Sequence, residues 1–206
     1  MANARKHSED LGWPAPGDSL FAAPGEWKTL AALSKYPDFL TYAGSYKDAA
    51  DAVVETIELK RRGADSMVYA AMFLYRHYVE LMLKGLIQLG ESLEGKQAAY
   101  PKIHTIGQLW NNCKPMIERA FPDGDTDAME AVDHCMKEMA AMDPDAEAFR
   151  FPENIKGKPT KHTRPLLGLR NVRNVMEKIA GFLDGSYDCM SEELRCRYEE
   201  LQGGDG

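Results

Sequence analysis

Long apolar runs are missing from this chain of 206 residues. Its most hydrophobic segment, 66–89, goes only about ten residues before a charge interrupts it, well short of the ~20 that a bilayer requires. The N-terminus, MANARKHSEDLGWPAPGD, has no apolar signal-peptide core. No membrane association is expected, and a cytoplasmic location is. Cysteine is scarce: four residues, Cys113, Cys135, Cys189 and Cys196, without C-x-x-C spacing, exclude a small disulfide scaffold and leave reduced thiols, with Cys113 and Cys135 acting as small hydrophobes. Positive charge is in deficit as well. A net charge of −7 excludes a protein that coats nucleic acid indiscriminately, though not one with a local basic surface.

Familiar chemical motifs are also lacking. There is no Gly-rich phosphate loop and no nucleophile elbow. Asp123, Asp125 and Asp127 lack the remainder of an EF-hand loop, and His134 and Cys135 are adjacent and so diverge on a helix. Neither a metal nor a cofactor is expected.

What is present is helical periodicity. Ser45 reads as the N-cap of a first helix, 46–62, with Ala49, Val53 and Ile57, joined by Ala50 and Val54, facing inward. Gly63 ends it, and Asp65 or Ser66 opens a second helix running to Gly90. Ile103, Ile106, Trp110, Cys113 and Ile117 mark a third helix from His104, which Pro115 kinks or shortens. Met129, Val132, Met136 and Met139 give a fourth, its methionines serving as core filling. Residues 143–164 read as a hairpin-like excursion turning at Gly157-Lys158. Thr163 and Pro165 then start a fifth helix with Leu169, Val172, Met176, Ile179 and Leu183 inward, and Ser191–Leu201 a separate short one. Repeats and β alternation are absent. The fold class is all-α: an up-and-down bundle of four to five core helices (45–185), preceded by an extended Trp/Pro-rich arm (1–44) packing on it and followed by a short helix and acidic tail (186–206).

The second helix carries the most informative pattern. Arg76, Glu80 and Lys84 fall within roughly 80° of arc, with His77 at the edge, on a helix that is otherwise apolar. Burying these groups is costly unless they are paired. They form either an ion-pair network fixing helix register, or the wall of a phosphate site in which Glu80 orients Arg76 or His77.

Four segments resemble the HEPN family of helical bundles: AGSYKDAADAVVETI, FLYRHYVELMLKGLI, HTIGQLW and DPDAEAFRFP. The likeness spans roughly residues 42 to 185, and the segments are similar to one uncharacterised prokaryotic branch. It implies a HEPN-like bundle that homodimerises and acts in RNA or nucleotide handling, in a defence or toxin–antitoxin setting with a partner protein from a neighbouring gene. Many relatives are metal-independent ribonucleases using an Arg followed by four to six residues and a His. Here no histidine has an Arg at that distance before it; Arg170-Asn171 and Arg173-Asn174 reproduce only the start of the motif. The resemblance therefore points to a non-catalytic or catalytically divergent RNA- or nucleotide-binding module.

Three further groups of residues compete for a functional role. His77 and His104 have the chemistry of a general acid–base pair, since imidazole titrates near neutrality; His104 equally suits a helix start bonded to the body. Asp143 and Arg150 flank DPDAEAFRFP, either as a structural pairing in which Arg150 bonds Glu80 or Asp143, or with Arg150 as a phosphate ligand. From residue 154 to 176 no acid occurs, but Lys156, Lys158, Lys161, Arg164, Arg170 and Arg173 do, together with His162. That strip either tracks a polyanion or partners acids elsewhere, such as the Asp-rich turn or the C-terminal tail. A purely structural, protein-interaction role is the remaining alternative.

Overall fold

A computed structural model describes residues 13–21, 28, 30–60, 63–154, 156–160 and 166–203. The chain divides into two units, Met1–Tyr36 and Pro37–Gly206. In the first, Ala15 to Asp18 closes a turn: the Asp18 amide donates to the Ala15 carbonyl at 3.0 Å, and the Asp18 carboxylate accepts from the Ala15 amide at 2.7 Å. Trp27 lies outside the described residues.

Among the described residues the second unit is an all-α bundle of five helices: α1 (Phe39–Lys60), α2 (Ala64–Leu93), α3 (Ile106–Ala120), α4 (Thr126–Met142) and α5 (Leu169–Gly203). No strand occurs among the described residues. α1 begins earlier than Ser45. Asp38, just after Pro37, accepts the Thr41 amide at 2.7 Å and so supplies the cap. The Ser45 hydroxyl donates instead to the Thr41 carbonyl at 2.9 Å, as a serine inside a helix does. The inward face shifts accordingly to Ala43, Ala50, Val54 and Ile57, and Ala49 is exposed.

α2 is the axis of the bundle, packing against α1, α3 and α5. It opens at Gly63, whose φ of 84° places it in the left-handed region that glycine adopts without strain. Fourteen of its 30 residues are buried, and between Tyr75 and Ile87 they surround the helix, so it has no solvent face there. At Gly85 a Cβ would sit 3.2 Å from the Tyr187 ring and 3.3 Å from Phe39 Cβ, which is how closely α1 and α5 approach.

α3 carries through Pro115 to Ala120 and is not shortened there, with Ile106, Leu109, Trp110, Cys113 and Ile117 buried. Asp125 caps α4 by accepting the Asp127 and Ala128 amides. The excursion after α4 is hairpin-like: Glu153 and Pro159 form an antiparallel bridge, and Gly157, at φ 68°, makes the turn. Thr163 and Pro165 lie outside the described residues. The fifth and sixth helices expected from the sequence are one helix, because nothing between Leu183 and Ser191 breaks the ladder; Ser186 and Met190 are buried and extend the inward face. The Asp38 cap should contribute about 1 kcal/mol, so Asp38→Ala should lower unfolding free energy by that amount in urea denaturation without changing the helical content of the folded state.

Candidate functional site

Three turns of α2 organise the polar interior. Glu80 stands one turn after Arg76 and one turn before Lys84, and receives both. Arg76 Nη1 donates to Glu80 Oε2 at 2.9 Å, and Lys84 Nζ donates to Glu80 Oε1 at 2.8 Å. All three residues are buried. Helix spacing makes the pairing local, so it forms whenever the helix does.

Two other parts of the chain close the network. Asp143, buried at the end of α4, brings Oδ2 to 2.7 Å from Arg76 Nε, an ionic contact in which the N–H is out of line for a hydrogen bond. Its Oδ1 accepts the Glu147 and Ala148 amides at 2.8 Å each, folding the excursion back onto α2. His104, just before α3, gives its carbonyl to Arg76 Nη2, while its Nδ1 lies 2.8 Å from Glu80 Oε1. Two cations thus meet two carboxylates in the buried interior. The pairing is that of the first sequence alternative, an ion-pair network within and around α2. Burial alone would raise the Glu80 pKa, but hydrogen bonds from Lys84, His104 and Arg76 outweigh it and hold the carboxyl at about 2.

The network has a solvent edge. The His104 side chain is 67% exposed and that of His77 27%, and His77 Nδ1 lies 4.0 Å from Glu80 Oε2. Two histidines therefore flank one buried carboxylate. The His77 ring meets Tyr46 edge-on at 4.4 Å and stacks parallel to Phe73 at 5.7 Å. Burial pushes its pKa down, against the pull of Glu80, which favours the neutral imidazole. Arg150 does not bond Glu80 or Asp143. Its guanidinium lies 5.1 Å from the Phe151 ring centroid and 6.0 Å from that of Phe73, held by cation–π contacts, because Asp143 is already committed to Arg76. Among the described residues Arg150 has no carboxylate partner.

The basic strip does not join this cluster. Arg170 Nε lies 2.5 Å from Glu58 Oε1, and Arg173 approaches Asp51 at 3.6 Å and Glu58 at 3.8 Å. The partner acids sit on α1, rather than in the Asp-rich turn or the tail. Asp51 also binds Lys47 at 2.9 Å and the Tyr75 hydroxyl at 2.5 Å. Lys158 is exposed at the hairpin turn. Lys161, His162 and Arg164 lie outside the described residues. The acids on α1, and Tyr46 and Phe73 as a setting for charged groups, escaped sequence reasoning. Their only sequence trace was helical spacing, which does not tell which helix faces which.

No group of three or more His, Cys, Asp or Glu among the described residues is arranged to hold a metal ion, and no described helix is long and apolar enough to cross a membrane. No protein-family model, curated protein or solved structure matches the chain.

Removing one member of a buried ion pair strands the others, so Glu80→Ala should cost about 3–5 kcal/mol in denaturant unfolding. The pH dependence follows from the lowered pKa. Since Glu80 falls from 4.5 to about 2 on folding, its stabilisation is complete above pH 4.5 and is lost as pH drops toward 2. Acid unfolding followed by circular dichroism should therefore lose part of its steepness in Glu80→Gln.

Proposed function

We propose that the chain is a HEPN-like module that binds the phosphate of an RNA or nucleotide at the solvent edge of the α2 network. One observation carries this reading: Arg150 is an oriented guanidinium with no carboxylate partner among the described residues, sharing the Phe73 ring with the partly exposed His77. Arg76 and Lys84 act from behind, as neutralised members of the network that hold Glu80 and hence the histidines. A guanidinium between aromatic rings presents donors in a fixed fork suited to phosphate. The Phe151 ring, 48% exposed, offers a stacking face beside it. Homodimerisation, a partner protein and a prokaryotic defence role follow from the resemblance and belong to the same proposal.

The test is fluorescence anisotropy with a labelled 5′-phosphorylated single-stranded RNA across a salt series. Arg150→Ala should weaken binding about tenfold or more, and added salt should weaken it steeply in the wild type. Charge reversal at Arg170 and Arg173 should have little effect, because Glu58 and Asp51 already neutralise them. Absence of binding, or a flat salt response, refutes the proposal.

The shared contact of His77 and His104 with Glu80 favours a second reading, a divergent metal-independent ribonuclease. A neutral His77 would take the 2′-hydroxyl proton and a protonated His104 would give its proton to the leaving 5′-oxygen. RNA incubated in chelator should then be cleaved by wild type and by neither His77→Ala nor His104→Ala. Equal cleavage by all three indicates a contaminating nuclease.

A further inference from the structure

On the side of the bundle where α3 ends and α4 begins, facing α5, lies an open groove of about 420 Å³. That volume is within the ~300–1,000 Å³ range of ligand pockets. Its floor is apolar, formed by Ile117, Phe121, Met129 and Phe182. Ile117 is buried, but the other three, which also pack on the core, keep surface toward solvent. Carboxylates line the groove from two elements: Glu118 near the end of α3, and Asp125 and Glu130 at the start of α4. Its one lining cation, Lys114, is drawn off by Asp133 at 3.4 Å and Glu118 at 3.9 Å. Asp125 spends its carboxylate on the first amides of α4, which cancels the helix's attraction for an anion. Glu130 has no ion-pair partner among the described residues.

We infer that this groove docks a basic amphipathic helix of another protein. An apolar floor several side chains long accepts residues at i, i+3 or i+4, and i+7 of one helical face. Glu130, the lining carboxylate left without a partner, and the net negative charge of the lining select Lys or Arg flanking those residues and repel acidic sequences. A second copy of this chain is disfavoured by its net charge of −7. The surface belongs to α3, α4 and α5 and uses none of the residues proposed to bind phosphate, so the two roles stand or fall separately.

The probe is a display library of randomised 16-residue peptides, selected on the full chain with counter-selection on Phe182→Glu. Because Phe182 also packs on the core, Glu130→Lys at an exposed position serves as a second variant, with thermal melts confirming that both fold. Selected peptides should carry apolar residues at helical spacing with an excess of Lys and Arg, and should bind Glu130→Lys about tenfold or more weakly. In a Cys196→Ser background, bound peptide should also slow alkylation of Cys189, whose thiol sits at the groove. Failure to enrich peptides overturns the inference. So does enrichment of neutral or acidic ones, or affinity unchanged in both variants. Self-association that Glu130→Lys abolishes would assign the groove to a second copy and overturn it equally.

Discussion

The Glu80 carboxylate is the interaction on which the bundle's interior depends. It sits in the middle of α2, which packs against α1, α3 and α5, and it takes Arg76 from one turn below, Lys84 from one turn above and His104 from the connection to α3. Asp143 completes the charge balance from the end of α4. Apolar packing around α2 would be satisfied by several rotations of that helix. A buried carboxylate with three donors is satisfied by far fewer, because each misplacement leaves a charge stranded in low dielectric. Register specificity, rather than raw stability, is what such a network most plainly supplies to a bundle of this kind.

The same geometry separates what is used up from what is left over. The cations inside the bundle are matched by carboxylates, and so are Arg170 and Arg173 on the face between α1 and α5. Groups at the solvent edge are not: Arg150 rests on aromatic rings, and His77 and His104 turn toward the buried carboxylate while keeping part of their surface in water. A binding proposal is therefore strongest at that edge and weakest along the strip, although sequence alone makes the strip the more conspicuous feature.

Much of the fold was legible because helical periodicity reports burial directly. The seam from Ile106 to Ile117, the methionine face of α4 and the inward residues of α5 follow from spacing alone. Helix ends were less legible, since several capping residues compete locally. Asp38 prevails over Ser45 because its carboxylate takes the Thr41 amide and starts the helix earlier, and the two helices read after Thr163 merge because no residue between them interrupts the hydrogen-bond ladder.

The pairing of Arg76, Glu80 and Lys84 was determined by the sequence itself: positions four apart on a helix are neighbours in any fold that contains it. Which distant groups would meet them was not. That Asp143 rather than Arg150 reaches the network, that His104 meets one carboxylate oxygen of Glu80 and His77 lies nearer the other, and that acids on α1 neutralise Arg170 and Arg173 were settled only when the helices packed. Local spacing fixes neighbours along one helix, whereas contacts between helices depend on rotations and offsets that the summed burial of the whole core selects.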